Sequence, residues 1–316
     1  MSLGATGDGR VDAARDDRRP AELARIAGRL PRPATTRYAP APTGYLHLGH
    51  VLNAAWVWAA AEATTGQVLL RIEDHDRQRS RPAFDAALRE DLDWLGFVAG
   101  LGRVRQTDPD ALAAYRTAFE RLRSEGLAYG CLCSRSAFAA WATDHAGRRW
   151  TGPGCPGGCQ ARGLDGPVWR VALGDGDETW VDARLGPRAA PVAPAGDLPI
   201  RDRDGDWTYG FCVVIDDARQ GIDLVVRGED LLEATPAQIR LGRRLGRLDP
   251  PTFLHHPLIR RADGRKLSKS DADTGVRDLR AAGWTPARII AAALEAGARA
   301  LGSDRDAHEP GAGSDV

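Results

Sequence analysis

The stretch that most constrains the fold of this chain is residues 37–50, which read RYAPAPTGYLHLGH. An extended segment from Thr35 leads into it, and prolines and a glycine then break the chain. An apolar stretch of helical composition follows His50 and ends before Gly66. Residues 67–72 then form a short predicted strand. Strand, helix and strand in this order begin an open parallel sheet, so the chain is predicted to be an α/β protein with a Rossmann-like parallel sheet.

Two imidazoles, His47 and His50, stand at the start of that helix and share one of its faces. Free backbone N–H groups and the helix dipole attract an anion there, and Gly49 would let a ligand approach the backbone. Such a site could hold the phosphates of a nucleotide and stabilise the charge that develops during displacement. The alternative is two histidines that only cap a core helix, which is less expected for a pair framed by glycines.

Two lysines, Lys266 and Lys269, are the only lysines in the chain, and they lie together in DGRKLSKS, residues 263–270. Every other basic side chain is arginine. Lysine offers a compact, movable charge, whereas the guanidinium is a planar fork, so two positions that keep lysine suit a phosphate chain. Glycine and serines around them make a polar loop that could close over such a group. A solvated basic loop is the alternative.

The composition excludes several classes of function. Formal net charge is zero over 316 residues, so contact with nucleic acid has to come from local basic patches such as 240–247 or 260–266. No apolar stretch approaches the length that spans a bilayer, and the first twenty residues are charged with no hydrophobic core. A cytoplasmic location is therefore expected.

Four of the five cysteines lie close together in sequence, at Cys131, Cys133, Cys155 and Cys159. In a cytosolic chain such a cluster favours a metal over disulfides, and four thiolates suit tetrahedral zinc. All four ligand positions would be filled by protein, so the metal is predicted to be structural. Scattered buried thiols are the alternative. His145 is a weaker ligand candidate and is left out, and Cys212 is interpreted as core packing.

Hydrophobic patterning organises the rest of the chain. Leucines at 88, 92 and 95, and the apolar positions of 112–122, predict two helices with core-facing stripes. Residues 168–173 and 178–185 are predicted to be strands of a small antiparallel unit. The apolar stretches 207–216 and 221–228 predict the second half of the parallel sheet, followed by a helix over 231–245, and Pro286 starts a further helix.

These patterns predict five regions. They are a flexible extension (1–32), the first half of the Rossmann-like domain (33–129), a zinc-bearing insertion (130–196), the second half of the Rossmann-like domain (197–260), and the lysine loop with a short helical part and a disordered tail (261–316).

Taken together, HLGH after APAPTG and KLSKS some two hundred residues later resemble the two signature motifs of class I aminoacyl-tRNA synthetases. RIEDHD at 71–76 and VVRGEDLL at 225–232 narrow the resemblance to the glutamyl branch, over roughly residues 35–275. About 46 residues follow the lysine loop, too few for the helical anticodon-binding domain of a full glutamyl enzyme. The chain is therefore most similar to the truncated members of this branch, which attach glutamate to the queuosine base of tRNA(Asp).

The resemblance implies roles for particular residues. Arg37 and Arg227 would bind the carboxylates of glutamate, Glu73 its ammonium group, and Tyr209 would line the pocket. Ala41 stands where relatives commonly have serine, which implies weaker binding of glutamate. The complete implied glutamate site is Arg37, Tyr38, Ala39, Pro40, Ala41, Glu73, Tyr209 and Arg227. The implied nucleotide site is His47, Gly49, His50, Lys266 and Lys269, of which the histidines and lysines are catalytic.

Three further points belong to the resemblance. In the family the zinc site often has three cysteines and a tyrosine, and Cys155 stands where the tyrosine would be. One Zn²⁺ per chain is expected, with ATP and Mg²⁺ at the active site. Asp74 and Asp76 are open between contacts to the acceptor end of tRNA and turn formation.

The predicted function is ATP-dependent formation of glutamyl adenylate and transfer of glutamate to queuosine-containing tRNA(Asp) by a monomer. Two other enzymatic functions are open: charging of the 3′ end of tRNA(Glu), and glutamylation of an acceptor other than RNA. A non-catalytic module that binds tRNA or senses an amino acid is also open, although intact histidine and lysine motifs argue against it.

Overall fold

The structure is a computed structural model that describes residues 20–134, 155, 158–192, 196–259 and 275–306. Its α-helices are α1 Leu23–Ile26, α2 Leu48–Ala63, α3 Pro82–Leu95, α4 Pro109–Ser124, α5 Gly158–Ala161, α6 Tyr209–Arg219, α7 Thr235–Arg244, α8 Val276–Ala281 and α9 Pro286–Asp306. Its strands are β1 Thr35–Tyr38, β2 Gln67–Ile72, β3 Arg103–Arg105, β4 Ala128–Cys131, β5 Val168–Val171, β6 Asp177–Asp182, β7 Gly186–Pro191, β8 Leu198–Arg201, β9 Leu224–Gly228 and β10 Thr252–His256.

The central sheet has the strand order β3-β2-β1-β9-β10-β6-β7. Its pairs are parallel from β3 through β6, and β7 closes the edge as the antiparallel partner of β6. All five residues of β9 are buried, as expected for a parallel strand covered on both faces. The predicted α/β architecture with a mostly parallel sheet is confirmed.

The sheet reverses its winding direction between β1 and β9. From β1 the chain proceeds outward to β2 and β3 on one side, whereas β9 and β10 extend the sheet on the other side. In open α/β sheets, ligands bind outside the carboxyl ends of the strands at such a switch point. Arg37 and Arg227 lie near the carboxyl ends of these two strands, and helix α2 begins close by in sequence. The topology alone therefore brings distant predicted residues to one edge.

A second, three-stranded antiparallel sheet has the order β4-β5-β8. The prediction that residues 178–185 belong to a small antiparallel unit with 168–173 was wrong, because β6 joins the central sheet beside β10. The strand prediction for 207–216 was also wrong, since this stretch is mostly helix α6. Residues 211–217 are all buried, so the stretch shows no period that would distinguish a helix from a buried strand.

Helix α9 packs against α2. A Cβ added at Gly297 would lie 2.9 Å from a methyl carbon of Leu52, so glycine permits this close approach. Among the residues that the structure describes, no helix combines the length and apolarity needed to cross a membrane.

Candidate active site

The turn that carries His47 and His50 is organised by its own backbone. His47 is the N-cap of α2, and its Nδ1 accepts the N–H of Gly49 at 3.1 Å. Nδ1 of His50 accepts the N–H of His47 at 3.2 Å. A backbone N–H can only donate, so in the neutral form of each ring the proton lies on Nε2. Both imidazoles are therefore held as Nε2–H donors, with their ring centres 4.0 Å apart.

Gly49 makes room for one of these rings. A Cβ at this position would lie 2.9 Å from Cε1 of His47, closer than real Cβ contacts allow. The imidazole of His47 thus occupies the space that Gly49 leaves. Gly49 therefore has a role in packing, besides the predicted one of letting a ligand approach the backbone.

A cavity of about 480 Å³ opens beside this turn, large enough for a small-molecule ligand. Its walls come from the start of α2, from the end of β9 and from the segment after β10. They include His47, Gly49, His50, Asn53, Arg227, Gly228, Asp230, Leu231, His256, Pro257, Leu258 and Ile259.

Arg37 is buried and held by a carboxylate from α6. Its Nε donates to Oδ1 of Asp217 at 3.0 Å, and its Nη1 donates to the carbonyl of Val226 at 3.2 Å. Burial alone would raise the pKa of Asp217, but the charges of Arg37 and of a second arginine, Arg71, lower it below its ordinary value. Asp217 is therefore a carboxylate that fixes the arginine predicted for substrate.

Arg71 links Asp217 to Glu73. It is fully buried; its Nη1 donates to Asp217 Oδ1 at 2.7 Å, and its Nη2 and Nε donate to Oε1 of Glu73 at 3.2 and 3.3 Å. Burial raises the pKa of Glu73, which the charges of Arg71 and Arg37 partly oppose. The predicted Glu73 is thus joined to Arg37 through Arg71 and Asp217, two charged residues for which no role was predicted from the sequence.

Arg227 and Tyr209 complete the group. Burial raises the pKa of Tyr209; the charge of Glu73 adds to this, and those of Arg227 and Arg37 oppose it. Burial lowers the pKa of Arg227, and the like charge of Arg37 contributes to the lowering. These mutual effects require the four side chains to lie near one another. Two close, buried guanidinium groups favour an anion between them.

The remaining residues that were predicted to bind glutamate are 38–41, which directly follow Arg37 in the chain. The hydroxyl of Tyr38 donates to the carbonyl of His50 at 3.2 Å, and its ring packs against Trp58, so this side chain supports the histidine turn. The carbonyl of Pro40 accepts the N–H of Glu73 at 3.0 Å, and the carbonyl of Ala41 accepts that of Thr43. Ala39 is half-buried and Pro40 is buried.

Asp74 and Asp76, whose roles the sequence left open, have different environments in the structure. Asp74 is buried and accepts hydrogen bonds from Arg105 and Thr107 at 2.7–3.0 Å, which makes it a structural anchor. Asp76 pairs with Arg79 three residues on and accepts its backbone N–H, so it forms a turn.

Lys266 and Lys269 lie outside the described residues. The chain on either side of their segment is described: Ile259 lines the cavity, and Gly275 forms an antiparallel bridge with His47. The N–H of Val276 donates to the carbonyl of Leu46 at 2.9 Å. Both ends of the segment therefore flank the cleft.

The four clustered cysteines converge on one point. The sulfur atoms of Cys131, Cys133, Cys155 and Cys159 all lie within 4.8 Å of one another, and Cys133 is 3.7 Å from Cys155 and 3.4 Å from Cys159. A tetrahedral ion with Zn–S bonds near 2.3 Å needs sulfur separations of about 3.8 Å. The set can hold a metal ion such as zinc. Cys212 is buried in the core away from this set, as predicted.

The basic stretch 240–247 is largely engaged within the chain. Arg240 and Arg243 both pair with Glu178, and Arg247 donates to the carbonyl of Ile222. The other predicted basic patch, 260–266, lies outside the described residues.

Sequence reasoning missed Arg71, Asp217, His255 and Asp182, all buried and charged or polar. A signal existed for Asp217, since two aspartates end the apolar run of α6. An ionised group is buried only with partners, so such positions indicate a network.

Comparison with known proteins identifies the family of this arrangement. Residues 33–146 and 190–304 match the model of the catalytic domain of class I tRNA synthetases (E and Q). The chain is 39% identical over 272 residues to a glutamyl-Q tRNA(Asp) synthetase of Symbiobacterium thermophilum, covering 80% of this chain and 83% of the relative. It is 38% identical over 276 residues to the glutamyl-Q tRNA(Asp) synthetase of Rhodobacter capsulatus, a match that covers 80% of this chain and 97% of the relative.

The chain is also similar to longer proteins. It is 38% identical over 273 residues to glutamate–tRNA ligase 2 of Acidithiobacillus ferrooxidans, covering 80% of this chain and 56% of that ligase. The crystal structure of a glutamate tRNA ligase from Elizabethkingia meningosepticum in complex with its amino acid has a TM-score of 0.63 at 26% identity. That match covers 80% of this chain and 54% of the ligase, so the chain spans about half the length of such ligases.

Proposed function

The chain belongs to the class I tRNA synthetases of the E and Q type, and on that premise we propose that it activates L-glutamate with ATP and transfers the glutamyl group to tRNA. One observation carries the proposal: buried Arg227 lines a cavity whose wall also presents two Nε2–H imidazoles. Arg37, Glu73 and Tyr209 are grouped with Arg227. A dicarboxylic amino acid and a polyphosphate are the ligands that these groups suit together.

The charges account for the choice of amino acid. Arg37 and Arg227 take the two carboxylates of glutamate between them, and Glu73 takes the ammonium group. Arg71 contacts Glu73 through Oε1, so Oε2 is the oxygen assigned to the ammonium. Glutamine, which carries an amide in place of one carboxylate, would leave a buried guanidinium without its anion.

In the first step, an oxygen of the α-carboxylate attacks the α-phosphorus of ATP, and the bond to the pyrophosphate oxygen breaks with its electron pair. His47 and His50 donate Nε2–H hydrogen bonds to phosphate oxygens at the α2 N-terminus, where the dipole favours negative charge. Lys266 and Lys269 neutralise the departing pyrophosphate. Mg²⁺, when bound to ATP, supplies further charge neutralisation on the phosphates. No protein nucleophile is needed, since positioning and charge stabilisation suffice.

We further propose that the acceptor is queuosine in tRNA(Asp). A hydroxyl oxygen of its cyclopentenediol ring attacks the carbonyl carbon of the adenylate, AMP leaves with the electron pair of the broken bond, and the hydroxyl proton is released. Support comes from the similarity to relatives named glutamyl-Q tRNA(Asp) synthetase, which this chain matches over 83% and 97% of their lengths. The cysteine set is proposed to hold one structural Zn²⁺ through Cys131, Cys133, Cys155 and Cys159.

Two measurements test the proposal. Glutamate-dependent ATP–pyrophosphate exchange in the absence of tRNA tests activation, and its absence would contradict the proposal. Labelled glutamate is then offered with queuosine-containing tRNA(Asp), with the same tRNA lacking queuosine, and with tRNA(Glu). Label on the first alone is expected. Label on the terminal adenosine of tRNA(Glu) would identify the second candidate, which the 38% identity to a glutamate–tRNA ligase supports.

A further inference from the structure

Arg227 is held by a chain of buried polar contacts that crosses three strands of the central sheet. Its Nε donates to Nε2 of His255 at 3.0 Å, and Nδ1 of His255 lies 2.6 Å from Oδ2 of Asp182. Arg227 is 3% exposed, and His255 and Asp182 are fully buried. The three residues come from β9, β10 and β6, so the chain of contacts runs from the cleft toward the edge of the sheet.

The proton positions in this chain of contacts follow from the chemistry of its members. A guanidinium has no acceptor atom, so Nε2 of His255 must accept the hydrogen bond from Arg227. In the neutral ring the proton is then on Nδ1 and is donated to Asp182. A protonated ring would turn an N–H toward the N–H of Arg227. Burial lowers the pKa of His255, with a contribution from the charge of Arg227, in agreement with a neutral ring.

Asp182 is fixed from both of its oxygens. Oδ1 accepts the backbone N–H groups of Arg184 at 3.0 Å and Leu185 at 2.8 Å. Oδ2 accepts the backbone N–H of His255 at 3.2 Å in addition to the ring. Since these partners are all N–H donors, the carboxylate suits this position. An amide does not, because its NH₂ group would face another donor.

Each terminal nitrogen of Arg227 also donates a hydrogen bond within the protein, which defines the plane of the guanidinium. Nη1 donates to Oε1 of Gln238 at 2.6 Å, and Nη2 donates to Oγ1 of Thr235 at 2.8 Å. Phe253 covers one face, with its ring centre 5.1 Å from Cζ. His255 is the contact that holds Nε, the atom nearest the backbone, and so limits rotation of the whole fork.

We propose that Asp182 and His255 are positioning residues that orient Arg227 for glutamate, an inference that rests on the proposed function. Asp182 lies between the two segments that match the family model, 33–146 and 190–304. The β6–β7 hairpin therefore takes part in selecting the amino acid. A guanidinium held in one orientation meets a carboxylate with matched geometry and discriminates against an amide, whereas a rotating one adapts to either.

Two variants of His255 separate the two halves of the chain of contacts. H255N retains a donor near the position of Nδ1 but loses the acceptor for Arg227. H255Q places an amide oxygen near Nε2 and retains that acceptor. In pyrophosphate exchange, H255N is expected to raise KM for glutamate roughly tenfold to a hundredfold, the effect of losing a hydrogen bond to a charged group. KM for ATP should be unchanged, and the preference for glutamate over glutamine should fall. H255Q restores the acceptor for Arg227 but not the contact with Asp182, so it should recover part of the loss.

Y129F is the matched control, because it removes a buried 2.6 Å hydrogen bond to a carboxylate, Asp197, in the smaller sheet. It should lower the melting temperature and leave KM for glutamate unchanged. If H255N behaves like Y129F, His255 is only structural and the inference is overturned. Wild-type enzyme that fails to exchange pyrophosphate with glutamate would instead contradict the proposed function.

Histidine-selective ¹⁵N NMR of the wild-type protein tests the inference independently of the kinetics of the variants. His255, assigned by comparison with H255Q, should be a neutral Nδ1–H tautomer between pH 6 and 8, and its Nε2 resonance should shift when glutamate is added. An Nε2–H tautomer, or a resonance that glutamate leaves unmoved, would overturn the proposal.

Discussion

Oδ1 of Asp217 accepts hydrogen bonds from Arg37 and from Arg71, at 3.0 and 2.7 Å, although Asp217 is 180 residues from the first and 146 from the second. One carboxylate oxygen therefore fixes an arginine assigned to substrate and the arginine that holds Glu73. Both guanidinium groups are buried, and this oxygen is the anionic acceptor that they share in the proposed amino-acid pocket.

Asp217→Asn should destabilise the protein by about 3 kcal/mol, because it leaves two buried guanidinium groups without their shared anion. It should also raise KM for glutamate more than KM for ATP. Chemical denaturation and pyrophosphate exchange measure the two effects. Asp76→Asn is the control, because its ion pair with Arg79 is exposed at 76% on the arginine side and should contribute below about 1 kcal/mol. Equal destabilisation by both variants would contradict the buried network.

His47→Asn separates the two roles of this histidine. Asparagine is a good N-cap and can still accept the N–H of Gly49, but it lacks the Nε2–H donor. The kcat of exchange should fall by roughly 10²–10³, as on loss of a donor to developing charge, with little change in melting temperature. His47→Ala should lose similar activity and a further ~1 kcal/mol of stability. A variant His47→Asn with normal kcat would remove the imidazole from the chemistry.

The protein should contain about one zinc per chain, and Cys133→Ala should lose it together with several degrees of melting temperature. Elemental analysis of purified protein and thermal unfolding measure both effects. Cys212→Ala removes a buried thiol outside the cluster and should retain the metal. Metal content unaffected by Cys133→Ala would contradict the four-sulfur site.

Stability should rise with pH between about 4 and 6.5 because of His256. Burial lowers the pKa of His256 to about 4, whereas an unfolded chain has the ordinary histidine value near 6.5. Between these values the unfolded state binds the extra proton, so folding is weakened as pH falls, by up to about 3 kcal/mol, and is unaffected above pH 6.5.

The measurement for His256 is the free energy of unfolding at several pH values. His256→Leu should flatten the curve in this window, and Cys212→Ala should keep the wild-type slope, since a thiol does not titrate there. Parallel curves for wild type and His256→Leu would show that another group causes the slope.

The resemblance to the family implied roles for Arg37, Glu73, Tyr209 and Arg227, and the structure brings these four together. The convergence of Arg37, Glu73 and Arg227 was predictable because the carboxyl ends of parallel strands share one edge of a sheet, whereas Tyr209 comes from the start of helix α6. The roles assigned to them, and to Lys266 and Lys269 outside the described residues, stay predictions.

Local patterning was insufficient in two places, for different reasons. Residues 207–216 were predicted as a strand and are mostly helix, because an apolar run without a visible period fits either equally. Residues 178–185 do contain a strand, but its alternation of buried and exposed residues does not specify which sheet it joins.

By itself, the sequence determined the class of fold, the histidine-bearing helix start and the four cysteines, because each of these depends on residues close together in the chain or on a strict chemical requirement. Only the tertiary structure decided which buried groups hold the substrate arginines. Asp217 and the Asp182–His255 pair contact Arg37 and Arg227 across strands and helices that the chain reaches much later or earlier, and the pairing of charges in a low-dielectric interior depends on distance in space.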